Sequence, residues 1–282
     1  MSDEAPYDVL RGPALLFCPG DRPDRYAKAA ERADTVVLDL EDAVAPADKD
    51  AAREAVEAAL PGLGSRAMVR VNACDTRWFA DDVAMLRRVG HTRVMLPKAA
   101  AATDLDPLEG LQVLALAETA RGVLHAEEVA AHPACVALMW GGEDLVADLG
   151  GRRSRGVDGR YHPVVEHARL TVLLAARAWG KAAVDSVHID IGDLDGLRRE
   201  SLEAVDVGFA AKCCIHPSHV PVIREAFAPT EEMVAFARGV LEAAQHEKGV
   251  FRHEGRMVDE PLLRQARATL AQVSTGRRTD AG

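Results

Sequence analysis

Aromatic residues are scarce in this chain. Three Trp, three Tyr and six Phe make up 4% of 282 residues, although 48% are hydrophobic. The core must then be built from Ala, Leu and Val. Cysteine is thin as well: Cys18, Cys74, Cys135, Cys213 and Cys214 are odd in number and show no CxxC spacing, which argues against a zinc or redox site. Most of them fall in apolar runs, where buried reduced thiols are expected and no disulfide, and the adjacent Cys213 and Cys214 should face opposite sides of one strand.

Positive charge is in deficit, with 34 Lys and Arg against 44 Asp and Glu, a net charge of −10. Nucleic acid and anionic membranes reward a basic surface, so neither is expected as the main partner. No apolar stretch reaches the ~18 residues of a membrane span, and the opening MSDEAPYDVLRG lacks a signal-peptide pattern. A cytoplasmic location is the expectation. GxSxG, a P-loop and a GxGxxG after a strand are all missing, which leaves serine-hydrolase and dinucleotide chemistry without a signature. No internal repeat is visible, and the final TGRRTDAG is expected to fray.

What is present is a series of eight apolar or β-branched runs: 14–18, 35–40, 66–71, 92–96, 111–117, 135–140, 186–191 and 209–215. Between most of them lie stretches rich in Ala, Glu, Arg and Leu at helical spacing, such as Asp48 to Leu60, Trp78 to Val89 and His162 to Trp179. Strands alternating with helices imply right-handed crossovers and a parallel sheet. Eight such units fit a closed (β/α)8 TIM barrel, usually about 250 residues long. The expected organisation is a barrel over 1–228 and an additional C-terminal segment over 229–282.

Such a barrel carries its active site on the loops that follow the strands. The residues after each run are Pro19-Gly20, Glu41-Asp42, Asn72, Pro97-Lys98, Glu118, Gly141-Gly142-Glu143-Asp144, Asp193 and His216-Pro217, with Arg70 near the end of its strand. Some are expected to be only turn formers or helix caps; Asp48, Asp193 and Asp195 are read so. Glu118 is different, because Glu is a poor N-cap and the neighbouring Thr119 can cap instead.

Glu118 and Asp144 are therefore the candidate ligands of a hard divalent ion such as Mg²⁺, which keeps several waters and completes its shell with substrate oxygens. A 2-keto or 2-hydroxy acid could chelate such an ion, with Arg70 forking onto the substrate carboxylate. The alternative for Arg70 is an ion pair with Glu41 or Asp42. Those two acids are read as substrate-site residues behind the metal, with direct ligation as the competing assignment. His216 is left without a catalytic role.

In order and spacing, these residues resemble the citrate lyase beta-subunit-like family, which includes malyl-CoA and citramalyl-CoA lyases. The resemblance runs nearly end to end through LLFCPGDRPDRYAKA (15–29), VVLDLEDAV (36–44), VRVN (69–72), LPKA (96–99), ALAETARGVL (115–124), GGEDL (141–145), IDIGDLDGL (189–197), KCCIHPSHV (212–220) and MVDEP (257–261). It implies a (β/α)8 barrel with a C-terminal helical lid and Mg²⁺ on Glu118 and Asp144. It further implies that Arg70 grips the keto-acid carboxylate and that Asp259 is an acid/base reaching in from a neighbouring subunit. For Asp259 the local alternative is a cap on the helix starting near Pro261.

Coenzyme A would be met by Arg22, Arg25 and Lys28, the last best supported by the resemblance. The basic run GRRSRGVDGR (151–160) departs from the family's usual loop and reads as solvated. The implied activity is reversible, Mg²⁺-dependent cleavage of a 3-hydroxyacyl-CoA (malyl-, citramalyl- or citryl-CoA-like) to acetyl-CoA and a 2-keto acid by a homotrimer or hexamer. The alternatives are a citryl-carrier-protein lyase subunit of a larger complex, a CoA-independent 2-keto acid aldolase, and a non-catalytic CoA-binding protein.

Overall fold

A computed structural model describes residues 10–247 and 249–279. Most of the segment read for a targeting signal, and the last three residues of the tail, lie outside the described residues. The chain divides into two compact units, Met1–Arg224 and Glu225–Gly282.

In the first unit β1 (Ala14–Pro19), α1 (Pro23–Arg32), β2 (Thr35–Asp39), α2 (Lys49–Leu63), β3 (Ala67–Arg70), α3 (Phe79–Arg88) and β4 (Arg93–Leu96) follow one another. A 3-10 stretch, Ala102–Leu108, replaces an α-helix in the next crossover. Then come β5 (Gln112–Ala117), α4 (Ala120–Leu124), α5 (Ala126–Ala131), β6 (Cys135–Trp140), α6 (Gly142–Asp148), α7 (Pro163–Ala178), β7 (Ala182–Asp185), α8 (Leu194–Val207), β8 (Ala211–Cys214) and α9 (His219–Phe227), whose last turn belongs to the second unit. The strands pair in chain order, all parallel, and β8 closes on β1 through Ala14↔Lys212 and Leu15↔Cys213. This is the closed (β/α)8 barrel expected from the alternation of runs.

The inward face follows the period of two. Leu15, Val37, Met68, Met95, Leu114, Ala137, Val184 and Cys213 pack into one buried cluster inside the barrel. Cys213 Sγ lies 3.4 Å from Met139 Sδ in that interior, while its neighbour Cys214 is buried near the charges of Asp34 and Arg224. The five cysteines are free thiols, and burial pushes Cys135 up to about 12.

One strand lies elsewhere than its sequence signal. SVHIDI (186–191) alternates well but forms the loop into α8, with Ile189 and Ile191 50% and 47% exposed. The strand is Ala182–Asp185, whose Ala137↔Ala182 and Val184↔Ala211 pairs complete the ring. Two alanines carry little strand propensity, so closure of the barrel rather than local preference makes them β.

Helix ends are set by local chemistry. Thr119 caps α4, its hydroxyl accepting from Gly122 N–H at 3.0 Å, and Asp193 caps α8 through Gly196 N–H at 2.8 Å. Asp48 stands at the start of α2, but its side chain makes no capping bond.

The second unit holds α10 (Glu231–Ala243), the antiparallel hairpin β9 (Phe251–His253) and β10 (Arg256–Val258), and α11 (Glu260–Thr279). Ala237, Val240, Val258 and Ala266 form its buried centre. Helix α11 continues through Thr279, so most of the tail expected to fray is helical. Among the described residues no helix is long and apolar enough to cross a membrane.

Candidate active site

The inward alternation does not stop at the barrel core. One or two steps further along every strand except β4 it brings Phe17, Asp39, Arg70, Leu116, Glu118, Met139, Gly141, Ser186 and Ile215 to the C-terminal mouth, where they help line a cavity of about 330 Å³. Glu143 and Asp144, in the first turn of α6, line it too. Polar groups that are far apart in the chain therefore share one small space.

Glu118 is 2% exposed. Its Oε1 accepts from the backbone N–H of Lys98 at 3.0 Å. Lys98 itself has φ 52°, a left-handed conformation that a non-glycine residue adopts only where its surroundings enforce it. A methyl group on Gly141 would come within 2.7 Å of Glu118 Oε2, so the absence of a side chain at Gly141 is what lets the carboxylate lie against β6. Burial, and then the negative charges of Asp144 and Glu41, push the Glu118 carboxyl up to about 8.

Two carboxylates that repel each other at the mouth of a buried cavity form a place for a cation. Among the described residues no third His, Cys, Asp or Glu completes a ligand set, so zinc-type closure is absent and an oxygen-loving ion with open positions fits best. Glu118 and Asp144 are the residues that would hold it.

Arg70 is locked. Its Nε and Nη2 donate to the two oxygens of Asp39 at 2.7 and 2.6 Å, and its guanidinium stacks on Phe17 at 4.8 Å. Nη1 stands 3.2 Å from Glu41 Oε2, a buried oxygen with no hydrogen bond. Burial opposes the charge, but Asp39, Glu41 and Glu118 prevail and raise the guanidinium pKa. Lys98 Nζ donates to the other oxygen of Glu41 and lies 3.7 Å from Asp42. Glu41 and Asp42 are outside the cavity lining, with Asp42 58% exposed at its side chain. Lys49 holds the backbone of this turn by donating to the Leu40 and Glu41 carbonyls at 2.6 and 2.7 Å.

The loop expected to be solvated is only partly so. Arg152, Arg153 and Arg160 are exposed, but Arg155 forks onto Glu200 Oε1 at 3.0 and 2.8 Å, donates to Tyr161 Oη at 2.5 Å and lies 3.5 Å from Glu143. Ser154 donates to Glu143 at 2.5 Å. The loop thus ties the turn bearing Glu143 and Asp144 to α8.

Of the other anticipated residues, Arg22, Arg25, Lys28 and His216 are not part of the cavity lining. Arg22 pairs with its neighbour Asp24 at 3.0 Å, and Arg25 and Lys28 are exposed on α1. His216 bonds with Ser218 at 2.7 Å. Asp259 Oδ1 accepts from Leu262 N–H at 3.2 Å, the cap of α11.

Sequence reasoning assigned no role to Asp39, Phe17 or the Lys98 backbone. Asp39 had a signal. It is one inward step beyond Val37 and pairs in register with Arg70 on the adjacent strand.

Residues 14–217 match the family described as HpcH/HpaI aldolase/citrate lyase. A citrate lyase subunit beta-like protein of Mycobacterium tuberculosis is 50% identical over 262 residues, covering 93% of this chain and 96% of that protein. A (3S)-malyl-CoA thioesterase of Cereibacter sphaeroides is 34% identical over 276 residues, covering 92% and 94%. Among solved structures, protein CitE of Mycobacterium tuberculosis in complex with magnesium, acetoacetate and coenzyme A superposes with a TM-score of 0.88 at 48% identity, over 94% of this chain and 99% of that one. A citrate lyase beta subunit of the same organism, complexed with oxaloacetate and magnesium, gives 0.76 at 50% identity over 79% and 100%. With the fold and these matches in agreement, the chain belongs to the HpcH/HpaI aldolase/citrate lyase family.

Proposed function

We propose that this protein is a Mg²⁺-dependent carbon–carbon lyase that reversibly splits a 3-hydroxyacyl-CoA, bearing a carboxylate on its carbinol carbon, into acetyl-CoA and a 2-keto acid. The observation that carries the reading is the placement of buried Glu118 and half-buried Asp144 in one cavity with Arg70. The ligands seen with the M. tuberculosis relatives, magnesium with a keto acid and coenzyme A, agree with it.

Glu118 and Asp144 would hold the ion, which when bound supplies positive charge beside the oxygen where negative charge develops. Arg70, kept in one orientation by Asp39 and Phe17, presents its remaining N–H groups to the substrate carboxylate and fixes the carbinol carbon. In cleavage the C2–C3 bond breaks, the hydroxyl proton passes to solvent water as its carbon becomes the keto-acid carbonyl, and the electron pair of the broken bond remains on the thioester fragment as an enolate. Asp259 delivers a proton to that carbon to complete the methyl of acetyl-CoA, and removes one in the condensation direction. No oxidant or reductant is needed.

Asp259 would come from a neighbouring copy, with the segment from residue 229 onward serving as lid to a barrel ending near 228, in a homotrimer or hexamer. Arg22, Arg25 and Lys28 would meet the phosphates of coenzyme A. In this mechanism Glu41 and Asp42 act behind Arg70 and Lys98 rather than on the substrate.

The test is to incubate the protein with Mg²⁺ and malyl-, citramalyl- or citryl-CoA and to follow both products, with Asp259→Ala alongside. Acetyl-CoA and a keto acid in equal amounts, lost in the variant, support the lyase. Free CoA without acetyl-CoA would instead assign hydrolysis, the activity in the name of the C. sphaeroides relative. No turnover would favour a CoA-independent aldolase or a binding protein.

A further inference from the structure

Strands β4 and β5 fall out of step just where they reach the mouth. Leu96 pairs with Ala115, so in unbroken register the Lys98 N–H would donate to the Leu116 carbonyl. Ala99 N–H takes that carbonyl instead, at 3.0 Å. One residue is therefore extra on β4, a bulge, and the Lys98 N–H it releases from the ladder is the one that donates to Glu118 Oε1 at 3.0 Å. The bulge needs the left-handed φ of 52° at Lys98, which a residue with a Cβ adopts only when something holds it there.

The side chain supplies that hold. Lys98 Nζ donates to Oε1 of the buried Glu41 and lies 3.7 Å from Asp42. Resting on the reading of Glu118 as a ligand of the divalent ion, we propose that Lys98 is a positioning residue: its ammonium, anchored on Glu41, keeps the bulge left-handed, and the bulge keeps the Glu118 carboxylate in place for the ion. Glu118 needs such a restraint, because Asp144 and Glu41 repel it, and a ligand already fixed loses no rotamer freedom when the ion arrives. By charge alone a lysine here is a hindrance. Its ammonium and the Glu118 carboxylate feel each other, and a second cation nearby opposes a divalent one.

The two effects have opposite signs, so the decisive experiment is Mg²⁺ calorimetry on the substrate-free protein with Lys98→Met and Lys98→Gly beside the wild type. Both variants lose the ammonium, and the field alone would make both bind Mg²⁺ more tightly. Positioning demands the reverse. Methionine has no anchor and is strained at φ 52°, so its bulge relaxes and Mg²⁺ affinity should fall about tenfold. Glycine takes the left-handed conformation without a steric cost and keeps the N–H near Glu118, so it should regain about threefold of that loss while staying weaker than the wild type.

Lys98→Met binding Mg²⁺ as tightly as the wild type, or more tightly, overturns the proposal. So does Lys98→Gly binding no better than Lys98→Met, since both have lost the same charge. Urea unfolding of the metal-free proteins runs alongside: a lowered midpoint with unchanged Mg²⁺ affinity would make Lys98 merely structural. Should Lys98→Met fail to fold, Lys98→Gly against the wild type decides, weaker binding supporting the proposal and equal or tighter binding overturning it. A wild type that binds no Mg²⁺ would defeat the ligand reading of Glu118 and the proposal with it, whereas binding without thioester cleavage would defeat the lyase reading and leave the comparison of variants decisive.

Discussion

Arg70 and Asp39 show how one pair fixes an active-site cation. A lysine at position 70 keeps the charge but loses the fork that meets both oxygens of Asp39. Arg70→Lys should lower kcat/KM about 100-fold, equivalent to about 2.7 kcal/mol, mainly through weaker keto-acid binding. Steady-state kinetics with the keto acid varied in the condensation direction measures it. Glu118 is under the opposite strain, being an acid whose burial and negative neighbours Asp144 and Glu41 outweigh the charge of Arg70 and the Lys98 N–H. Glu118→Gln should stabilise the metal-free fold by about 1–3 kcal/mol while weakening Mg²⁺ binding at least tenfold. Urea unfolding and Mg²⁺ calorimetry read the two effects; a variant that loses stability would show that Glu118 is held by favourable contacts.

At the scale of elements, strands β6 to β8 and helices α7 and α8 are joined by charges on the outward strand faces. Asp185 on β7, fully buried, accepts from Lys212 Nζ at 2.8 Å and Trp140 Nε1 at 2.8 Å and faces Arg169 of α7. Lys212 also lies 3.5 Å from Glu200 on α8. Burial alone would raise the Glu200 carboxyl, but the contact with His188 and the charges of Lys212 and Arg155 hold it down to about 2. A folded pKa below the unfolded 4.5 means that this stabilisation is complete above about 4.5 and is lost as pH falls from there through about 2.

Glu200→Gln should therefore cost on the order of 3 kcal/mol near pH 7, with the difference vanishing toward pH 2. Unfolding of both proteins across that range checks it, and a pH-independent difference would contradict the assignment. The same elements show where local signals mislead. SVHIDI has the better strand pattern, yet the ring selects Ala182–Asp185, because hydrogen bonds to β6 and β8 must be met there.

On the scale of the molecule, each chain carries Arg70 in its first unit and Asp259 in its second. If the acid/base comes from a neighbouring copy, chains with Arg70→Ala and chains with Asp259→Ala should each be inactive and should complement when coexpressed. Roughly a quarter of full activity is expected if copies mix at random in a ring. Activity absent from the mixed oligomer would place Asp259 in its own chain's site, and an active Asp259→Ala chain would place it out of the chemistry.

Most of the architecture was legible in the sequence, because a period of two in each run and a helical period between runs are local properties of the chain. Seven of the eight strands lie where their runs predicted, and Glu118, Asp144 and Arg70 stood out because they follow or end such runs. Closure of the barrel decided the rest. It moved β7 onto residues with little propensity of their own. It also brought Asp39 against Arg70 and put the Lys98 N–H on Glu118. Arg155 was turned from a solvated loop onto Glu200. Those pairings join residues 20 to 45 positions apart, and no local pattern encodes them, because strand register and loop packing exist only once the ring has formed.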